Sequence, residues 1–177
     1  MSRKIVVFIA ASLDGYIATK EDSLDWLFAT EGEGDNGYGE FLATVDTVVM
    51  GRRTYGWLLK QVGADNFPYR DKRCYVFSST LQGKDGYVDF IADNVLGFVN
   101  RLRQEKGKNI WLVGGGGLIH TFAEHQLVDE WIVTVAPTIL GDGIPLFHKA
   151  AIETRLSLKS ARTFNQFVEL HYETMKA

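Results

Sequence analysis

The clearest structural signal in the sequence is Trp111-Leu112-Val113-Gly114-Gly115-Gly116-Gly117-Leu118-Ile119, where an apolar run stops at four glycines and then resumes. The apolar residues that follow, as far as Phe122 and Ala123, have helical spacing. This pattern predicts a buried strand, a turn of bare backbone and the start of a helix. At such a junction, free N–H groups and the positive end of the helix dipole favour an anion such as a phosphate. The glycines alone are equally consistent with a tight, closely packed turn that binds nothing.

Strand and helix patterns alternate along most of the chain. Buried strands are predicted at residues 4–11, 47–50, 74–77, 88–91, 110–113 and 130–135. Helices are predicted at 38–45, after Gly51, from a cap at Asn94 to Gly107, and after the glycine run. Residues 156–159 and 166–173 alternate in polarity, as in an antiparallel hairpin. We therefore predict one α/β domain over residues 1–177, with a mostly parallel mixed sheet, helices on both faces and a C-terminal antiparallel hairpin.

Small, hydroxylated and basic residues follow several of the predicted strands. In an open α/β sheet, ligands bind beyond the carboxyl ends of the strands. Four such ends carry residues suited to an extended phosphorylated ligand: Asp14-Gly15, Gly51-Arg52-Arg53-Thr54, Ser78-Ser79-Thr80 and the glycine run. Each of these could be ordinary loop chemistry, but their coincidence favours a nucleotide site.

Composition and charge exclude several other classes of function. Apolar residues make up 46% of the chain and charged residues 23%, which is typical of a globular domain. The formal net charge of −3 argues against a nucleic-acid partner. No segment reaches the roughly 18 apolar residues that a transmembrane helix needs, so no membrane role is expected. The single cysteine, Cys74, fits a reducing compartment and favours a cytoplasmic protein.

Several motifs resemble those of the dihydrofolate reductase family, in the same order and at similar spacing. Val48-Val49-Met50-Gly51-Arg52-Arg53-Thr54-Tyr55 resembles its strand followed by Met-Gly-Arg, any residue and Thr. Val76-Phe77-Ser78-Ser79 resembles the next strand, and Val113-Gly114-Gly115-Gly116 resembles the triple-glycine turn. The resemblance covers nearly the whole chain and implies the reductase fold.

A neighbouring branch of the same superfamily matches more closely. Ser12-Leu13-Asp14-Gly15, Val128-Asp129-Glu130-Trp131 and the segment from Ala136 to Gly141 resemble the reductase domain of riboflavin biosynthesis. Leu24-Asp25-Trp26-Leu27 and Phe67-Pro68-Tyr69 resemble its small stand-alone bacterial relatives. That domain uses NADPH to reduce the ribosyl group of a phosphorylated aminopyrimidine. The resemblance therefore implies NADPH as cofactor and a small heterocyclic substrate.

The resemblance also implies which residues contact the cofactor. It puts Arg52 beside the adenosine 2′-phosphate, where a guanidinium can bind two oxygens, and Thr54 near the pyrophosphate. Arg53 is consistent with a contact to the cofactor and also with an exposed charge on the helix. The implied cofactor residues are Ala10, Ile17, Ala18, Gly51, Arg52, Thr54, Ser78, Ser79, Gly114, Gly115, Gly116, Gly117 and Leu118.

The substrate side departs from the dihydrofolate reductase pattern. That family has a single carboxylate in its first helix, and here Asp35 and Glu40 are the candidate acids, although neither aligns cleanly. Either could instead be a solvated surface acid. Asp14, Trp26 and Phe41 are candidate pocket residues, with a turn role open for Asp14. The histidine spacing does not predict a metal site.

Three functions remain open at this point. The first is an NADPH-dependent reductase of a pyrimidine, a pteridine or an imine. The second is a dihydrofolate reductase, and the third is a non-catalytic nucleotide-binding protein of the same fold. We also expect a homodimer, with the final hairpin as the pairing surface, because an unprotected edge strand favours pairing.

Overall fold

The structure, a computed structural model, describes residues 2–149 and 153–176. Its strands are β1 (Ile5–Ser12), β2 (Tyr16–Ala18), β3 (Val45–Gly51), β4 (Arg73–Phe77), β5 (Lys84–Asp85), β6 (Val88–Ile91), β7 (Asn109–Gly114), β8 (Glu130–Ala136), β9 (Ile144–Pro145), β10 (Leu156–Phe164) and β11 (Phe167–Thr174). Its α-helices are α1 (Asp25–Phe28), α2 (Tyr38–Leu42), α3 (Arg52–Val62), α4 (Val95–Gln104) and α5 (Gly116–Glu124).

One large sheet runs in the order β10-β11-β8-β1-β7-β3-β4-β6-β5. From β8 to β6 every neighbouring pair is parallel, whereas β5, β10 and β11 pair antiparallel. The predicted α/β class, the mostly parallel sheet and the terminal hairpin are therefore confirmed.

The central strands bury both faces, as their nearly continuous apolar sequences predict. On β1, Ile5 and Val7 belong to a core that α4 and α5 cover, while Val6 belongs to a second core that includes Phe41 of α2 and Tyr55 of α3. Because side chains alternate along a strand, one apolar run supplies both cores. Helices thus lie on both faces of the sheet, as expected.

Three of the differences between the predicted and the observed elements bear on the fold. Helix α2 ends at Leu42, because Val45 is fully buried as the first residue of β3. The loop after β1 contains β2, which pairs antiparallel with β9 in a small second sheet. The predicted cap at Asn94 is confirmed, since its side chain accepts a hydrogen bond from Gly97 N at 2.8 Å, but α4 ends at Gln104 rather than Gly107.

None of the helices within residues 2–149 and 153–176 is long and apolar enough to cross a membrane.

Candidate active site

A large cavity of about 1190 Å³ opens at the carboxyl ends of β1, β3 and β7. Its wall also includes the segments around α1 and before α2, which extend over the sheet. The cavity has the size of a site for a cofactor plus a small substrate. This is the position that the strand-end residues predicted.

Two helix N-termini meet at one end of this cavity. Helix α5 begins directly after Gly115, and α3 begins directly after Gly51. These two turns are in close contact, since a Cβ on Gly51 would lie 3.6 Å from Gly115 N, and one on Gly115 would lie 3.3 Å from the Thr54 hydroxyl oxygen. The peptide bond between Gly114 and Gly115 is cis. Free N–H groups and two positive helix ends therefore face the same space, which suits an anionic group.

Gly116 and Gly117 serve different needs. A Cβ on Gly116 would lie 2.9 Å from the Pro145 carbonyl oxygen and 3.0 Å from His148 Nε2, so this glycine is required by packing against the segment around β9. Gly117 is exposed and lines the cavity, and a Cβ on it would have no atom of the described residues within 4 Å. The glycine run therefore combines both of the predicted alternatives: Gly116 is closely packed, and Gly117, the next residue, is accessible to a ligand.

The basic end of the cavity is formed by the start of α3. Arg52 Nη1 donates to the Thr80 hydroxyl at 2.7 Å, which holds the guanidinium over the end of β4. Arg53 instead forms an ion pair with Asp22 at 2.8 Å, and both of these residues line the cavity mouth. Arg52 and Arg53, for which the sequence predicted different roles, therefore have different partners.

Ser78 and Ser79 are not brought into the cavity wall. The buried Ser78 hydroxyl accepts hydrogen bonds from the backbone N–H groups of Thr80 and Leu81, so it shapes the turn that presents Thr80 to Arg52. The sequence reasoning assigned the ligand contact to the serines, whereas the residue that holds Arg52 is the threonine after them. The other implied cofactor residues all line the cavity: Ala10, Ile17, Ala18, Gly51, Arg52, Thr54, Gly114, Gly115, Gly116, Gly117 and Leu118.

Another part of the cavity wall, called here the aromatic end, was not predicted from the sequence. Its wall contains Phe8, Tyr38, Tyr69 and Trp111. Phe8 and Trp111 meet edge to face with ring centroids 6.2 Å apart, and Trp111 Nε1 donates to the Phe8 carbonyl at 3.2 Å. Burial raises the pKa of the Tyr38 and Tyr69 hydroxyls, so both are neutral at physiological pH. The arrangement suits a planar heterocycle with polar edges.

Two of the three predicted pocket residues, Phe41 and Trp26, are not part of the cavity wall. Phe41 stacks on Phe8 with ring centroids 4.2 Å apart, so it supports the floor from beneath. Trp26 is turned away and donates from Nε1 to the Ser23 carbonyl at 3.3 Å. The wall receives Leu24, Leu27 and Phe28 instead, because residues spaced by three and four share one side of a helical turn.

Asp14, the third predicted pocket residue, has the turn role. Its carboxylate accepts hydrogen bonds from the Ser12 hydroxyl at 2.7 Å and from the N–H groups of Leu140 and Gly141 at 3.1 and 2.8 Å. The Ser12 hydroxyl, with help from these N–H groups, holds the pKa of Asp14 below its usual value. Asp14 therefore joins the loop after β1 to the loop after β8, outside the cavity wall.

The two candidate acids are both engaged elsewhere. Asp35 lines the cavity, but its two oxygens accept from Gly37 N and Gly39 N at 3.0 and 2.8 Å, which caps α2. Glu40 points away from the cavity and pairs with Arg162 at 3.1 Å. The structure thus does not bring Glu40 into the site. Within the described ranges, no three His, Cys, Asp or Glu side chains are grouped so that they could hold a metal ion.

A family model describing the RibD C-terminal domain matches residues 3–170. The chain belongs to this family. A curated relative, the uncharacterized protein YwjB of Bacillus subtilis, is 50% identical over 97% of this chain and 98% of its own length. This RibD C-terminal domain therefore matches that relative over nearly the full length of both chains.

Solved structures agree with the family and the fold. A protein from Shewanella sp. PV-4, provisionally named a riboflavin biosynthesis protein, matches with a TM-score of 0.87 and 31% identity over 99% of this chain and all of its own. A Thermotoga maritima diaminohydroxyphosphoribosylaminopyrimidine deaminase/5-amino-6-(5-phosphoribosylamino)uracil reductase matches with a TM-score of 0.73 and 13% identity, over 98% of this chain and 57% of that one. Dihydrofolate reductase from Enterococcus faecalis, complexed with NADP(H), has a TM-score of 0.65 and 14% identity, covering 98% and 97%. The dihydrofolate reductase-like fold is therefore confirmed.

Proposed function

We propose that this RibD C-terminal domain is an NADPH-dependent reductase of a small heterocyclic substrate, similar in class to 5-amino-6-(5-phosphoribosylamino)uracil. One observation carries the proposal: a single cavity has two helix N-termini and Arg52 at one end and an aromatic wall at the other. The reductase activity in the name of the Thermotoga protein supports the same class. A cytoplasmic setting fits the single, buried cysteine, Cys74.

The residues at the glycine end fit a dinucleotide. The exposed Gly117 leaves room for a ligand at the start of α5, whose free N–H groups would donate to phosphate oxygens. Arg52 would supply a guanidinium for the 2′-phosphate of NADPH. Ala10, Ile17 and Ala18 would form an apolar wall for the nicotinamide ring. Bound NADPH would supply the hydride for reduction.

The aromatic end would hold the substrate. Phe8 and Trp111 provide ring faces and edges for a planar heterocycle, and the neutral hydroxyls of Tyr38 and Tyr69 provide donors for its polar edge. Because both ends belong to one continuous cavity, substrate and cofactor can lie side by side and exclude water from their contact.

The proposal is tested by following NADPH oxidation spectrophotometrically with a panel of substrates. The panel contains 5-amino-6-(5-phosphoribosylamino)uracil, a pterin, a cyclic imine and dihydrofolate. Turnover of the aminopyrimidine or another of the non-folate members supports the proposal. Tight NADPH binding without turnover of any member would indicate the non-catalytic alternative.

We expect dihydrofolate to be a poor substrate, reduced at least about a hundredfold more slowly than the best panel member. A factor of about a hundred is what the loss of a general acid typically costs in rate. The reason is that both oxygens of Asp35 already accept backbone hydrogen bonds, and Glu40 lies outside the cavity. The measurement is the rate of dihydrofolate-dependent NADPH oxidation. Rapid dihydrofolate reduction that collapses in Asp35→Asn would contradict it.

We also propose a homodimer that pairs through the terminal hairpin. On one sheet face of this hairpin Leu156, Leu158 and Val168 are all exposed, Leu158 to 58%. Burying these side chains against a second copy would remove apolar surface from water. Light scattering should give twice the mass of one chain, and Leu158→Glu should reduce it to one. Leu96→Glu, at an exposed leucine of α4, is the control that should stay dimeric.

A mass of one chain for the wild type over a wide concentration range would refute this pairing.

A further inference from the structure

Glu169 of β11 is a buried carboxylate with one unused oxygen. Its side chain is only 3% exposed. Oε1 accepts a hydrogen bond from Arg162 Nε at 2.7 Å, whereas Oε2 is fully buried and has no hydrogen-bond partner among the described residues. An unpaired buried carboxylate oxygen is costly, because burial removes its hydration without replacing it. A hydrogen-bond donor on a bound ligand would compensate that cost.

The position of Glu169 puts it next to the aromatic end of the cavity. The sheet register aligns Ala10 on β1 with Thr134 on β8, Thr134 with Glu169, and Glu169 with Arg162 on β10. Paired residues of neighbouring strands share a face, so these four side chains form one row. Ala10 and Thr134 line the cavity, and so does Phe167, two residues before Glu169 on the same face. Glu169 is therefore the next side chain behind this part of the wall.

The loop that covers this row also belongs to the substrate end. Gly37 lies against Arg162, since a Cβ on Gly37 would be 2.9 Å from Arg162 Nη2. Its neighbours Asp35 and Tyr38 both line the cavity. Arg162 therefore holds Glu169 from the edge strand, beneath the loop that borders the substrate.

We propose that Glu169 is the acidic group that recognises the substrate: on binding, its side chain turns into the cavity beside Thr134, and Oε2 accepts an N–H of an aminopyrimidine-type ring that lies against Phe8 and Trp111. This inference rests on the proposed function and deepens it. It gives Glu169 a part in recognising the ring only, and not in protonating it, which was the role for which the sequence offered Asp35 and Glu40. Thr134, beside Glu169 in the wall, adds a hydroxyl to the same polar edge.

The chain provides a matched control for this role. Glu40 binds the same guanidinium as Glu169, at 3.1 Å from Arg162 Nη1, but its side chain is 72% exposed and outside the cavity. If Glu169 only anchored Arg162, Glu169→Gln and Glu40→Gln would affect ligand binding alike. If Glu169 recognises the ring, only Glu169→Gln affects it.

The experiment measures the affinity of 5,6-diaminouracil by calorimetry for the wild type, Glu169→Gln and Glu40→Gln, with and without NADP⁺. A charge-assisted hydrogen bond predicts that Glu169→Gln binds the probe about tenfold to a hundredfold more weakly. Glu40→Gln should stay within about twofold of the wild type. NADPH affinity should be unchanged in both variants, because neither Glu169 nor Glu40 is among the cavity-lining residues proposed to contact the cofactor.

Equal probe affinity in wild type and Glu169→Gln, or equal losses in both variants, would overturn the inference. If Glu169→Gln does not fold, the wild-type protein alone tests the inference. The carboxyl ¹³C resonance of Glu169, and not that of Glu40, should then shift when 5,6-diaminouracil is added. An unmoved Glu169 resonance refutes the proposal. NADPH binding without any probe binding by the wild type also refutes it and leaves the cofactor site standing. Probe binding without NADPH binding would instead refute the proposed reductase function.

Discussion

Gly117→Val is expected to weaken NADPH binding by more than about a hundredfold, equivalent to about 2.7 kcal/mol, without unfolding the protein. Gly117 is the exposed second residue of α5 and lines the cavity, and a Cβ there meets no described atom within 4 Å. A valine side chain would therefore fill space that a phosphate needs, while contacting little of the protein itself. Fluorescence titration with NADPH gives the affinity, and a thermal melt followed by circular dichroism checks the fold.

Gly56→Val is the matched control for this prediction. Gly56, on α3, is also an exposed helical glycine on which a Cβ would have no described atom within 4 Å, but it is not among the residues that line the cavity. Both variants introduce the same residue into a helix, so their propensity effects are similar. Gly116→Val is unsuitable, because its side chain would collide with the Pro145 carbonyl. Normal NADPH affinity in a folded Gly117→Val variant would exclude this turn as a phosphate site.

Arg52→Gln is expected to remove the preference for NADPH over NADH. The guanidinium is held at the start of α3 by its hydrogen bond to Thr80 and lines the cavity. A charge-assisted contact with the 2′-phosphate contributes about 1.5–3 kcal/mol, or about tenfold to a hundredfold in affinity. NADH lacks that phosphate, so its affinity should hardly change. Titration of each cofactor against wild type and variant measures both effects.

The control is Arg101→Gln. Arg101 is an exposed arginine of α4, and it forms an ion pair with Asp93, which lies just before that helix. The substitution lowers the net charge equally but should leave both affinities unaltered. Wild-type protein that binds NADPH and NADH equally well would remove the basis for assigning the 2′-phosphate to Arg52.

The fold was predictable because its signals are local. The run that ends at Gly114, the glycine turn and the apolar spacing of α5 lie within a dozen residues, and each agrees with the same strand-turn-helix junction. The cap at Asn94 is local in the same way. The proposed cofactor end of the site lies at the same junctions, since it is made of those strand ends and helix starts.

The substrate end could not be predicted because it is assembled from distant residues. Phe8, Tyr38, Tyr69 and Trp111 come from four separate segments, and each is indistinguishable in the sequence from a core aromatic. Glu169 carries no signal of its own either, since an acid in an alternating edge hairpin normally faces water. Only the register of β8, β11 and β10 shows that this one is buried.

The joined loops after β1 and β8 restrict how this domain can be redesigned. Asp14 accepts hydrogen bonds from Leu140 N and Gly141 N, and β2 pairs with β9. The segment around β9 in turn packs on Gly116 at the start of α5. A loop grafted from a relative at residues 12–18 must therefore bring its partner from residues 138–145 with it. Recombination that exchanges only one of them would misplace the glycine turn as well, so the two segments form a single module for engineering substrate range.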